Sequence, residues 1–217
     1  MDRGAEASHT HEQIRSFVAI ELPEEAKAGL ARLRRGLERD EHRFVKWVDP
    51  QGIHLTLKFL GNIPSSRVTE MTEAMEKAVQ GVSPFRVEVS GLGAFPSLRQ
   101  PRVFWVGVSG ELDKLSRLQQ NIDSALAARG FAKEERPFAP HLTLARVREG
   151  ASPPERRSFG ELVGSTAFEE RYPIEVKAVR LMRSQLTPAG AIYSCLSVVG
   201  LGCQEGLKKI WEDLTCQ

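Results

Sequence analysis

The tetrapeptide His-Leu-Thr-Leu occurs twice in this chain, at residues 54–57 and at residues 141–144. The copies start 87 residues apart, at positions 54 and 141. A β-strand presents successive side chains to opposite faces with period two. In each copy His and Thr therefore leave one face and the two leucines leave the other. Leu55, Leu57, Leu142 and Leu144 are expected in a core. His54, Thr56, His141 and Thr143 are expected to look onto something polar. A fold that contains both strands must bury two leucine faces and leave two His/Thr faces open. The simplest arrangement sets the two pairs across one substrate.

The rest of the chain supplies elements for such a fold. Residues 16–22 are β-branched and aromatic and are stopped by Pro23, which predicts a buried strand. Residues 24–39 place Ala26, Leu30, Leu33 and Leu37 at helical spacing, with acids first and arginines later. Residues 44–48 predict a short strand, 49–52 a turn, and 53–60 the first motif strand. A helix over 64–80, capped by Ser65 or Ser66, carries Val68, Met71, Met75, Ala78 and Val79 on one stripe. A strand follows at 85–89, and residues 91–96 are expected to bend away. Residues 102–109 read as a buried strand and 111–129 as the most regular helix, stopped by Gly130. A charged, proline-containing loop over 131–140 leads into the second motif strand, 141–148. A short helix at 155–162 and strands at 174–184 and 191–199, joined by a hairpin at 186–190, complete the pattern. The mixture of hairpins and helices predicts an α+β fold with mainly antiparallel sheets, and the repeat predicts an internal duplication rather than a solenoid. The expected limits are a tail at 1–14, a domain at 15–200, and a tail or weak helix at 201–217.

Composition excludes several classes. Hydrophobic residues are 41% and charged residues 27% of the 217, an ordinary globular balance with enough length for a core. No apolar run reaches the roughly 18 residues of a membrane span, and the polar start lacks the apolar centre of a secretion signal. The cysteines, Cys195, Cys203 and Cys216, are odd in number and not in C-x-x-C spacing. They read as free thiols of a reducing compartment, which points to the cytoplasm. A net charge of +2 is too mild for wrapping a long polyanion, but suits a small anion or the end of a nucleic acid.

Two imidazoles near their reference pKa of about 6.5 can stand one neutral and one protonated at neutral pH. Flanking a phosphorus atom, the neutral ring takes a proton from the attacking oxygen and the protonated ring gives one to the leaving oxygen. Threonine hydroxyls can donate to the non-bridging oxygens as charge builds. Neither motif has a second His or an acid at metal-ligand spacing, so no metal is expected. His9 and His11 lack a nearby third ligand and read as part of the solvated tail. No G-x-x-x-x-G-K-[ST] loop or G-x-S-x-G elbow is present, and no cofactor is expected.

The doubled H-x-T-x motif resembles that of the 2H phosphoesterase superfamily. Phe17-Val18-Ala19-Ile20-Glu21-Leu22-Pro23, Val45-Lys46-Trp47-Val48, and His54 through Gly61 look like bacterial and archaeal RNA 2′,3′-cyclic phosphodiesterases, first described as 2′-5′ RNA ligases. So do Phe95-Pro96-Ser97, Pro101-Arg102-Val103-Phe104-Trp105 and Arg136-Pro137-Phe138 leading into Pro140 through Arg146. The likeness covers about residues 15–200. It implies a two-lobed fold with pseudo-twofold symmetry and a cleft lined by the motif strands. It implies metal-independent hydrolysis of an RNA terminal 2′,3′-cyclic phosphate to a 2′-phosphomonoester. His54 would be the proton donor to the departing 3′ oxygen, His141 the acceptor that activates water, and Thr56 and Thr143 the phosphate-binding residues. The chemistry alone permits the two histidines to exchange roles. Partners would be RNA ends or small cyclic nucleotides, without a membrane, and the protein a monomer. The alternatives are a non-catalytic RNA- or nucleotide-binding module of the same fold, and a 2′-5′ RNA ligase or 2′-5′ phosphodiesterase.

Three further residues are candidate substrate contacts. Arg146 falls on the leucine face by strict alternation, and reaches phosphate only if a bulge re-aims it. Phe59 is placed on the His54 face, where it can stack on a base, with core packing as the competing role. Lys58 divides in the same way between substrate and structure. Arg99, Arg102 and Arg136 can attract RNA or simply be solvated.

Overall fold

The structure is a computed structural model, which describes residues 12–188 and 190–202. Nine strands and four helices alternate along the described residues. In chain order these are β1 Gln13–Glu21, α1 Glu24–Leu37, β2 Val45–Trp47, β3 His54–Pro64, α2 Val68–Val79, β4 Phe85–Phe95 and β5 Val103–Gly110. Then follow α3 Leu112–Ala127, β6 His141–Val147, α4 Pro153–Ser165, β7 Tyr172–Val176, β8 Ala178–Thr187 and β9 Gly190–Gly200. One sheet has the order β3-β1-β8-β9 and the other β2-β6-β5-β4-β7, and every pairing is antiparallel.

The predicted α+β class holds, and so do most elements. Four differences have physical causes. β1 starts at Gln13, and Ile14 is buried in the core, so part of the expected 1–14 tail belongs to the sheet. The helix after β3 begins at Val68, without a side-chain cap from Ser65 or Ser66, which lie in a 3-10 turn before it. The bend expected over 91–96 does not break the strand: β4 continues to Phe95 across a bulge at Gly91, whose φ of +70° only glycine adopts freely. The strand expected over 174–184 is two strands, β7 and β8, which meet at Lys177 and lie in different sheets. The N-terminal His9 and His11, Cys203, Cys216 and the helix expected at 207–214 lie outside the described residues.

The two sheets do not correspond to the two halves of the chain. β1 and β3 sit in the first sheet, but β2, between them in sequence, pairs with β6 in the second. β4 follows α2 yet joins β5, and β8 follows β7 yet returns to β1. Helices cross over as well: α2 and α3 pack on strands of the first sheet, α1 and α4 on strands of the second. One hydrophobic cluster runs through both, with Leu55 and Leu57 from β3 and Leu142 and Leu144 from β6 all in it.

Each motif strand carries a β-bulge at the last residue of its H-x-T-x. In β3 the pairing with β1 runs Ala19↔Thr56, then Val18↔Lys58, so Leu57 is the extra residue. In β6 it runs Trp105↔Thr143, then Phe104↔Ala145, so Leu144 is extra. An extra residue inverts the alternation beyond it. Leu57 and Lys58 both point inward, as do Leu144 and Ala145. Phe59 and Arg146 return to the His/Thr side and are exposed. This corrects Lys58 as a substrate contact: it is 2% exposed, and its ammonium ion-pairs with Asp123 on α3 and donates to the Ala132 carbonyl at 2.7 Å.

Lys58→Met should leave the Asp123 carboxylate uncompensated in a site where its side chain is only 13% exposed. Urea denaturation should register a loss of about 3 kcal/mol, and Lys58→Met with Asp123→Leu should recover more than half of it. A loss below about 0.5 kcal/mol for Lys58→Met would mean that the pair is not structural.

Candidate active site

The leucine faces of β3 and β6 are covered by helices and core, which leaves the His/Thr faces open. His54 and Thr56 are half-buried on β3, and His141 and Thr143 are half-buried on β6. β3 and β6 run close together where the two sheets meet. The side of the first sheet that bears His54 also carries Arg15, Phe17, Ala19 and Glu21 of β1, through their register with β3. On the second sheet the same reasoning brings Trp105 opposite Thr143, Val103 and Lys46 opposite Arg146, and Gly93 and Phe95 of β4 alongside. The indole of Trp105 lies flat on Gly93, where an added Cβ would come within 2.2 Å of the ring.

Tyr193 of β9 is within electrostatic reach of both sheets. Its ring meets the His54 ring edge-on, with centroids 5.0 Å apart. Burial raises the affinity of its hydroxyl for its proton, while the charges of Arg146, from the second sheet, and Arg15, from the first, lower it. One charge from each sheet thus acts on this hydroxyl, whose ring touches His54.

The two histidines are held in the same way. The Nδ1 of His54 lies 2.8 Å from the Gly52 carbonyl, and the Nδ1 of His141 lies 2.7 Å from the Ala139 carbonyl. A carbonyl only accepts, so Nδ1 is the donor in each case. In the neutral ring, Nε2 is then the free lone pair. The carbonyl two residues upstream fixes the same tautomer and ring orientation at both sites. Neither threonine hydroxyl has a hydrogen-bond partner among the described residues, so both are available to a ligand.

Their surroundings differ. The His54 ring stacks on Phe17 with centroids 4.4 Å apart and is capped by Tyr193. Burial among these rings pushes its pKa down to about 4, against the bond to Gly52, which raises it. His141 has Phe95 edge-on at 5.0 Å. Of the other candidates, Arg146 and Phe59 are on the open faces, and Phe59 is 58% exposed. Phe59, Leu60 and Gly61 with residues 131–136 line a groove of about 560 Å³, and Lys58 shapes it from behind by tying Asp123 to that loop. Arg136 lies at this groove; Arg99 and Arg102 are exposed. Phe17, Tyr193 and Trp105 were not legible as site residues, because their neighbours in space lie far away in sequence. Among the described residues, no three His, Cys, Asp or Glu side chains gather at a metal-binding distance, and no helix is long and apolar enough to cross a membrane.

A family model described as LigT-like phosphoesterase matches the chain twice, over residues 20–105 and 106–193. The chain is 34% identical over 189 residues to the RNA 2′,3′-cyclic phosphodiesterase of Methanothermobacter thermautotrophicus, covering 87% of this chain and all of the relative. It is 32% identical over 190 residues to the protein of the same name from Aquifex aeolicus, covering 87% and 98%. Among solved structures, E. coli LigT complexed with 3′-AMP superposes with a TM-score of 0.68 at 25% identity, over 88% of this chain and all of that one. The doubled strand motif, the paired open faces and these likenesses agree: the chain belongs to the LigT-like phosphoesterase family.

Proposed function

We propose that this protein hydrolyses the terminal 2′,3′-cyclic phosphate of RNA to a 2′-phosphomonoester, by histidine acid/base catalysis and without a metal. The observation that carries this is the matched pair of imidazoles, each with Nδ1 bound to the carbonyl two residues upstream. Two such rings supply a base for water and an acid for the leaving oxygen. The relatives named RNA 2′,3′-cyclic phosphodiesterase support the substrate, and the binding of 3′-AMP by E. coli LigT supports a nucleotide monophosphate in the cleft.

In the proposed step, Nε2 of His141 takes a proton from water as the water oxygen bonds to phosphorus. The bond from phosphorus to O3′ breaks, and His54 gives its Nε2 proton to O3′. Thr56 and Thr143 donate to the two non-bridging oxygens, where charge increases. Phe59, beyond its bulge, offers a face for the base, and Arg146 lies farther along the open face of β6.

The surroundings of His54 add a condition. A ring with a pKa of about 4 is neutral at pH 7, so as donor it must gain its proton together with the anionic substrate. The same neutral ring favours a second assignment, with His54 as base and His141 as acid. Calorimetry of inorganic phosphate binding at pH 6.5, in buffers of different ionisation enthalpy, separates the two. Uptake approaching one proton that is lost in His54→Gln supports the donor role, and no uptake by the intact protein supports the exchange.

The reading is tested by incubating a defined oligonucleotide 2′,3′-cyclic phosphate with the protein in EDTA and identifying the product. A 2′-phosphate is expected; a 3′-phosphate, or loss of all turnover in chelator, would overturn the regiochemistry or the metal-free mechanism. His54→Ala and His141→Ala should each slow turnover by about 10²–10⁴ with product binding largely kept, and Thr56→Ala or Thr143→Ala by less. Near-normal turnover in either histidine variant would refute the paired acid/base mechanism.

Burial of His54 also links stability to pH. Its pKa is lower in the folded state, about 4, than in the unfolded chain, about 6.5. The unfolded state therefore binds more protons between these values, and stability falls as pH drops from about 6.5 to 4. The contribution is about 3 kcal/mol at most. Denaturation of His54→Gln across this range should show a slope shallower by up to one proton, and an unchanged slope would mean that the ring is not desolvated.

A further inference from the structure

We propose that the cleft holds a second anion subsite, formed by Lys46 and Arg146, which takes the phosphodiester next to the reacting phosphate of an RNA end. It rests on the cyclic-phosphate function above, and makes a chain of at least two nucleotides the preferred substrate.

Lys46 lies on β2, the edge strand of the second sheet, directly opposite Arg146. Both are exposed. Like charges directly opposite one another on a sheet face destabilise the pairing. Neither side chain has an ion pair or a hydrogen bond among the described residues. Arg180 gives the contrast. It shares the open face of the first sheet through Ala19, and there Glu21 engages it at 2.7 Å. Two adjacent cations without a carboxylate, on the face that bears His141 and Thr143, are arranged for an anionic ligand.

The spacing suits a second phosphate. Arg146 lies one same-face step beyond Thr143, about 7 Å along the strand, and Lys46 one strand spacing farther, about 5 Å. The pair therefore sits roughly one nucleotide from the threonine that would hold the reacting group. Because β2 is an edge strand, the polynucleotide can leave past it without crossing the sheet. The corresponding position on the first sheet is Phe59, opposite Phe17, so the duplicated cleft is aromatic at one rim and cationic at the other. Such a cleft fixes the direction in which an RNA end lies. Arg15 and Arg146, whose charges meet at Tyr193, extend the positive potential across it.

The test needs no turnover. Uridine 2′-phosphate and a diuridine ending in 2′-phosphate are titrated by calorimetry into the full-length protein at two salt concentrations. The intact protein should bind the dinucleotide at least about tenfold more tightly. Lys46→Gln should reduce that preference about fivefold or more and flatten the salt dependence of dinucleotide binding by about 0.7 in log–log slope, while Lys46→Arg retains most of it. Lys114→Gln removes the same charge from α3, where Lys114 pairs with Glu111, and should leave the preference in place. Equal binding of the two probes, or an equal loss from Lys46→Gln and Lys114→Gln, would overturn the subsite. A protein that binds the dinucleotide through Lys46 but does not open cyclic phosphate would refute the function and keep the subsite. One that hydrolyses cyclic phosphate without preferring the dinucleotide would do the reverse.

Discussion

The extra residue at the end of each H-x-T-x motif, Leu57 in β3 and Leu144 in β6, governs the rest of this structure. Without the bulges, period two would send Lys58 into the cleft and Phe59 into the core, and Arg146 would be buried beside Leu144. With them, each strand presents two consecutive side chains inward, Leu57-Lys58 and Leu144-Ala145, and then resumes outward at Phe59 and Arg146. The bulge solves two problems at once. It lets a strand that begins with a His/Thr pair on the open face finish with a further side chain on that same face. It also turns a lysine inward, where Asp123 and the Ala132 carbonyl satisfy it and fasten a loop to the strand. A charge buried this way is tolerable only because its partners are buried with it.

The duplicated frame has diverged at its contacts. The histidines, the threonines, the carbonyls that orient the rings and the bulges are the same in both copies. The groups around them are not. Phe17 and Tyr193 enclose His54, whereas His141 has Phe95 at its edge. Thr56 stands opposite Ala19, and Thr143 opposite Trp105. A symmetric frame therefore holds two imidazoles among different aromatic neighbours.

The local parts of this arrangement were legible in the sequence. Helical stripes such as Leu115, Leu118, Ile122 and Leu126 and the alternating leucines of the motifs are short-range patterns, and they are buried as expected. The four site residues on β3 and β6 were legible because the chain repeats them. What could not be read depends on register and on distance. A bulge at Leu57 or Leu144 has no glycine or other local signature, since its cause is the pairing with β1 or β5. The break at Lys177 is invisible because apolar and charged residues go on interleaving across it, from Ile174 to Leu181, and only the sheet order reveals that Val176 and Val179 belong to different layers. Tyr193 is 139 residues from the histidine it touches, and Lys46 faces Arg146 across 100 residues.

The exchange of strands between halves bears on how the cleft can move. The family match changes from one copy to the next between Trp105 and Val106, in the middle of β5. The ancestral seam is now inside a paired strand, and no linker lies there to flex. β2 is committed to the sheet opposite its sequence neighbours, β8 returns to the other, and the apolar cluster is continuous through both. The separation of the two imidazoles is accordingly a property of the core rather than of a hinge. On the proposed function such a molecule is a fixed gauge, in which a phosphate must fit the gap already present and any adjustment falls to surface segments such as the loop over 131–140 and the β8–β9 hairpin.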